Sequence, residues 1–185
     1  MSTAQLTLEL PDEQATEALG TRLSRVILSS LKNNEINKLD TSVGAAVYLS
    51  GDLGAGKTAL ARALLRAAGV TGRIKSPSYA LLESYKVSSL YFYHIDFYRF
   101  GDSREWEDAG FRDLFSNNAI ILIEWPEKAA GHLPPPDLLI ELAYADPGRT
   151  ARITTQTKRG VTWLTSLNTE WSQRPSASPS AVGRS

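Results

Sequence analysis

Apolar positions along the chain change their period several times, and each change marks an element. Residues 6–10 alternate apolar and polar and predict a short strand. Pro11-Asp12-Glu13 is a helix start: Asp12 can cap, and Glu13 suits the positive end of the helix dipole. Ala15, Ala18, Leu19, Leu23, Val26 and Ile27 then recur at helical spacing, so a helix is predicted that fades near Leu31. Residues 32–42 (KNNEINKLDTS) are polar and read as a loop.

Residues 45–50 (AAVYLS) are nearly all apolar, the pattern of a strand buried on both faces of a parallel sheet. A glycine-rich loop follows at once. Residues 57–68 are rich in Ala, Leu and Arg and predict a helix that Gly69 can close. Further on come a loop (KSPSY) and an alternating segment (ALLESY) within 74–85, and a second buried strand at 90–97 (LYFYHIDF). Residues 103–115 are helix-like, with Trp106, Gly110 and Phe111 as landmarks, and 119–125 (AIILIEW) is a third buried strand. Three prolines break the chain at 134–136, 137–144 (DLLIELAY) is a fourth strand and 151–157 a further candidate. The end, 173–185 (QRPSASPSAVGRS), has almost nothing to bury and is expected to be a disordered tail. The predicted organisation is one domain over residues 1–170 and a tail over 171–185.

Composition narrows the class. The 185 residues are 42% hydrophobic and 22% charged, the balance of a globular domain with a sizeable core. Lys+Arg and Asp+Glu are both 20, so the chain lacks the basic excess of an autonomous nucleic-acid binder. With no cysteine there is no disulfide scaffold or thiolate metal site. The apolar run 119–123 is far too short to cross a bilayer, and the N-terminal residues lack a signal-peptide pattern. The expectation is a soluble cytoplasmic protein with no membrane partner.

The chemistry is concentrated in Gly51-x4-Gly56-Lys57-Thr58 (GDLGAGKT), a complete phosphate-binding loop set between a strand and a helix. Its glycines permit backbone angles closed to other residues and let the chain approach phosphates. The N–H groups of Leu53, Gly54, Ala55, Gly56 and Lys57 can converge on an anion, aided by the helix N-terminus. Lys57 is expected to reach the β- and γ-phosphates, and Thr58 to ligate magnesium. Such a loop needs a carboxylate on the metal side, after a buried strand. Glu124, ending AIILIE, fits that role best. Asp96, ending YFYHID, could orient or deprotonate the attacking water or share the metal. The competing reading makes each acid a strand cap or the partner of an arginine such as Arg99.

Other matches carry less. Residues 37–40 (NKLD) fit the guanine-reading motif of GTPases, but they precede the loop, and no D-x-x-G follows it, so ATP is favoured over GTP. The glycines at 51, 54 and 56 are spaced wrongly for a dinucleotide fingerprint. His94 and His132 form no zinc cluster. His94 reads as a hydrogen-bonded structural residue. Arg62 and Arg66 read as a solvated face. Trp125, beside Glu124, could border the nucleotide.

Four segments in order, GDLGAGKT (51–58), KSPSYALLESY (75–85), YHIDFYRF (93–100) and IEWPEK (123–128), resemble the TsaE (YjeE) family, the bacterial P-loop ATPases of tRNA threonylcarbamoyladenosine synthesis. The resemblance covers about residues 10–152. It rests chiefly on His94-x-Asp96-x-Tyr98-Arg99 and on Glu124-Trp125-Pro126. It implies a small P-loop α/β domain with a central, mostly parallel sheet flanked by helices. It also implies Lys57 and Thr58 on phosphates and Mg2+, Glu124 on the metal side and Asp96 in hydrolysis. The loop Ser76–Tyr79 would be a switch near the γ-phosphate. The implied partners are TsaB and TsaD, which transfer the threonylcarbamoyl group to tRNA, so contact with tRNA would be indirect. The chain departs from the usual S-P-T-[FY]-T in having Ser78 and Ala80: a hydroxyl survives at 78 and is lost at 80. Two other readings remain open on the loop alone. One is a small-molecule kinase, with Arg99, Arg104 and Arg112 as lid candidates; the other is a module that uses ATP as a conformational ligand without turnover.

Overall fold

The computed structural model describes residues 3–34, 44–102, 110–115 and 119–173. A strand, β1 (Gln5–Leu10), leads into a long helix, α1 (Glu13–Asn34), and the Asp12 carboxylate caps that helix by accepting the Ala15 N–H at 2.7 Å. Next come β2 (Ala45–Ser50), the glycine loop and α2 (Lys57–Ala67). The hairpin β3 (Leu82–Val87) and β4 (Leu90–Asp96) follows, then β5 (Ala119–Glu124), β6 (Leu138–Tyr144), β7 (Arg149–Thr155) and α3 (Lys158–Ser172).

The seven strands lie in the order β1-β7-β6-β2-β5-β4-β3. The four central strands, β6, β2, β5 and β4, are mutually parallel, whereas β3, β7 and β1 each pair antiparallel with their neighbours. Five of the seven strands therefore run in one direction, and the sheet is mostly parallel. The all-apolar runs of β2 and β5 follow from burial on both faces. Val47, Leu49, Ile120, Leu122 and Phe92 pack on one face against Leu19, Leu23, Leu60, Leu64, Trp163 and Leu167 of the three helices. Alternate residues, Ala46, Tyr48, Ile121, Ile123 and Ile95, face the other way. There they meet Phe97, Phe100, Phe111 and Ala129 of the connecting segments, so the described helices all flank one side of the sheet.

Asp137 pins the edge of the core. Its carboxylate is buried and accepts from Ala46 N at 3.0 Å, Thr157 Oγ1 at 2.5 Å, Arg159 Nε at 3.0 Å and Arg159 Nη2 at 2.7 Å. One side chain thus joins the start of β2, the start of β6 and the N-terminus of α3, where Thr157 caps Gly160 N at 3.0 Å.

Several boundaries depart from the sequence reading. α1 runs to Asn34, past the expected fading near Leu31, with Lys32 in its last turn at the negative end of the dipole. β3 starts at Leu82 because Leu81 adopts φ 64° and closes a turn on the Pro77 carbonyl at 2.7 Å. β4 ends at Asp96, and Phe97 turns its N–H to the Glu124 carbonyl at 3.1 Å. Of the helix expected over 103–115, residues 103–109 lie outside the described residues, and 111–114 form a 3-10 turn. α3 was not anticipated; it takes in Trp171 and Ser172, two residues assigned to the tail. The rest of that tail, 174–185, and the NKLD segment lie outside the described residues.

Removing the Asp137 carboxylate strands a guanidinium and a buried amide. Asp137→Ala is expected to cost about 3 kcal/mol of stability, read as a lower urea midpoint; an unchanged midpoint contradicts the anchoring role.

Candidate functional site

The loop between β2 and α2 is shaped by its glycines. Gly51 has φ 132°, and a Cβ there would run into the carbonyl oxygen of Leu142 on β6. Gly56 caps α2 at φ 106°, with the Arg149 guanidinium packed where a Cβ would sit. The chain can therefore pass close beneath a phosphate group. α2 starts directly after the loop, with Leu60 N bonded to Gly56 O at 2.9 Å.

Lys57 is the first residue of α2 and almost fully buried. Its Nζ donates to the Gly51 and Asp52 carbonyls at 2.5 and 2.8 Å and lies 3.9 Å from the centre of the Trp125 ring. Burial holds the ammonium below the usual lysine range, partly offset by the negative charges of Glu124, Glu127, Asp96 and Asp52. Leu53 and Gly54 form the loop's outer rim, whereas Ala55 is buried in the core; Leu53 is 70% exposed, and its carbonyl accepts from the Tyr144 hydroxyl at 2.9 Å.

The two acids meet this loop through strand register. β4 and β5 are parallel, with Asp96 opposite Glu124, and both lie at the C-terminal edge on the α2 face of the sheet. Backbone bonds fix the edge: Trp125 N donates to Leu49 O at 3.1 Å and Asp96 N to Leu81 O at 3.1 Å. Glu124 Oε2 accepts from Thr58 Oγ1 at 2.9 Å, and its Oε1 is 2.8 Å from His94 Nε2. Asp96 Oδ2 accepts from Ser78 Oγ at 2.7 Å and Oδ1 from Tyr98 N at 2.9 Å. Arg99, the arginine that could have neutralised an acid, instead donates Nε–H to the Ser78 carbonyl at 2.8 Å and stacks over Tyr79. Arg62 and Arg66 line an exposed groove of about 580 Å³ with Glu13 and Glu17, away from the loop.

Lys57, Thr58, Asp96 and Glu124 thus converge on one point. The donor set fits magnesium with a nucleotide. Magnesium takes one or two carboxylates and substrate phosphates rather than a cage of protein ligands. Among the described residues, no group of three His, Cys, Asp or Glu forms such a cage. A hydroxyl, a carboxylate and a loop with glycine at 51, 54 and 56 beside a buried lysine leave the remaining positions to phosphate oxygens and water.

Sequence reasoning missed two residues of the β6–β7 hairpin, Tyr144 and Arg149. The Arg149 guanidinium lies against Gly56, and its Nε is buried without a partner among the described residues. The available signal was topological: β6 is parallel to β2, so its C-terminal end emerges beside the glycine loop.

The strand, glycine loop and helix, with two strand-end carboxylates beside Lys57 and Thr58, define a P-loop domain of the nucleotide-binding class. The chain belongs to the family described as threonylcarbamoyl adenosine biosynthesis protein TsaE, whose model matches residues 10–153. It is 41% identical over 155 residues to the tRNA threonylcarbamoyladenosine biosynthesis protein TsaE of Haemophilus influenzae, covering 84% of this chain and 92% of that one. The protein of the same name from Rickettsia felis is 35% identical over 143 residues, 77% of this chain and 75% of that one. The crystal structure of Bacillus subtilis YdiB superposes with a TM-score of 0.70 at 23% identity over 92% of this chain and 98% of that chain, a likeness of fold. Among the described residues no helix is long and apolar enough to cross a membrane.

Gly51→Ala forces a Cβ against a backbone oxygen at a φ that L residues avoid. It is expected to lower stability by about 2–4 kcal/mol, measured by thermal or urea unfolding, and wild-type stability in this variant would contradict the loop geometry.

Proposed function

We propose that the protein binds ATP with Mg2+ and hydrolyses it to ADP and phosphate in tRNA threonylcarbamoyladenosine biosynthesis. The observation that carries the reading is the 2.9 Å contact between the Thr58 hydroxyl and the Glu124 carboxylate, at the mouth of the glycine loop and next to Asp96. The family named above supplies the pathway. The proposed partners are the transferase proteins TsaB and TsaD, with tRNA engaged through them and the work done in the cytoplasm.

In this reading the loop amides from Leu53 to Lys57 cradle the phosphates, and the positive end of α2 favours their charge. Lys57 exchanges its two loop carbonyls for β- and γ-phosphate oxygens. Thr58 and Glu124 hold the metal side, Glu124 directly or through water. Bound magnesium supplies charge neutralisation as the terminal phosphoryl group departs. Asp96 orients the attacking water and accepts its proton. The water oxygen bonds to the γ-phosphorus while the bond to the bridging oxygen breaks and its electrons leave with ADP. Ser78, now on Asp96, lies in the segment read as a switch, so its hydroxyl is placed to trade partners when the γ-phosphate arrives. Arg149 adds a cation beside Gly56.

Phosphate release is the direct test, measured on the purified protein alone and with TsaB and TsaD from the same organism. Wild type with the pair should release free phosphate well above its basal rate, and Lys57→Ala should lose about 100-fold in kcat along with tight nucleotide binding. Glu124→Ala should retain some nucleotide binding and lose metal-dependent turnover. Equal nucleotide affinity in wild type and Lys57→Ala would overturn the phosphate-loop assignment. A phosphorylated small-molecule product in place of free phosphate would make the protein a kinase.

A further inference from the structure

His94 sits in β4 two residues before Asp96, on the same face of the sheet, and is fully buried. Its Nε2 lies 2.8 Å from Glu124 Oε1, and its Nδ1 has no partner among the described residues. With Glu124 ionised its carboxylate only accepts, so the bond between them is donated by the ring's Nε2–H to Oε1. The imidazole is thus fully buried with one nitrogen unsatisfied among the described residues. Phe92, two residues earlier on the same face, shows that this row of β4 takes an apolar ring without that cost. Among the described residues the ring's one polar contact is the one to Glu124.

That contact divides the carboxylate's work. Oε1 is held by His94, while Oε2 faces the Thr58 hydroxyl at 2.9 Å. The competing partner is Lys57, whose ammonium feels the charge of Glu124 more than that of any other acid. A carboxylate free to rotate would turn toward that ammonium and give up its place beside Thr58. We infer that His94 is a positioning residue, holding Glu124 by Oε1 so that Oε2 is presented, with Thr58, to a divalent cation. The inference rests on the metal-side role proposed for Glu124 and adds the group that fixes its orientation. Hydrogen-bond partners of metal-side carboxylates characteristically set metal affinity by about 10–100-fold.

The experiment measures two affinities for wild type, His94→Leu and His94→Gln: ADP in the presence of a chelator, by calorimetry, and Mn2+ for the protein–ADP complex, by the loss of the free-ion paramagnetic resonance signal. Leucine fills the space and removes the donor, whereas glutamine can place an amide N–H near the position of Nε2. His94→Leu should bind metal-free ADP within about twofold of wild type and Mn2+ at least about tenfold more weakly. His94→Gln should recover most of the Mn2+ affinity. Wild-type Mn2+ affinity in His94→Leu would overturn the inference, as would an equal loss in both variants, which would mark a packing role. If His94→Leu does not fold, His94→Asn, whose shorter amide falls short of Glu124, takes its place with the same expected loss and the same contrary result. Failure of wild type itself to hold Mn2+ with ADP would instead remove the metal-side role of Glu124.

Discussion

The parallel register of β2, β5 and β4 is the constraint on which the site depends. Side chains alternate along a strand, so a one-residue slip of β5 would send Glu124 to the face of Phe97 and Phe111. In the observed register Leu49, Glu124, Asp96 and His94 share the face that carries α2, and the loop leaving β2 delivers Lys57 and Thr58 to the same spot. The antiparallel strands β3 and β7 contribute in another way. β3 covers the outer side of β4, and the β6–β7 hairpin brings Tyr144 and Arg149 against the glycine loop.

Placing charge here costs stability, and the structure shows how the cost is contained. Lys57, Asp96 and Glu124 are all nearly inaccessible to solvent. Burial alone disfavours the ammonium. Two loop carbonyls, the Trp125 ring and four acids offset that penalty without removing it. The two carboxylates lie side by side across β4 and β5, yet each is met by its own donors: Thr58 and His94 for Glu124, Ser78 and Tyr98 N for Asp96. Both carboxylates are thus satisfied by groups of the protein itself, and in the proposed function these groups exchange partners for phosphate and metal oxygens.

Most of the sheet was legible in the sequence because its central strands are continuous apolar runs, and a run ending in one acid places that acid at an edge. Glu124 after AIILI and Asp96 after YFYHI were found this way. Their mutual register, and hence the His94–Glu124 pair, was not, because register depends on which strands adjoin. α3 escaped because Val161, Thr162, Thr165 and Gly160 are poor helix formers, although Trp163, Leu164, Leu167 and Trp171 repeat at helical spacing. Tertiary burial of that stripe outweighed local propensity. The role of Asp137 was equally hidden, since its partners Ala46, Thr157 and Arg159 come from distant segments.

A crystal of the protein grown with Mn2+ and a non-hydrolysable ATP analogue would locate metal and phosphates together, by the anomalous signal of the manganese. The metal is expected on the Thr58 hydroxyl with the Glu124 carboxylate beside it or one water away, and the terminal phosphate between Lys57 and Asp96. Nucleotide bound with its phosphates away from residues 51–58, or manganese held by other side chains, would contradict the convergence of Lys57, Thr58, Asp96 and Glu124 on a single phosphate–metal site.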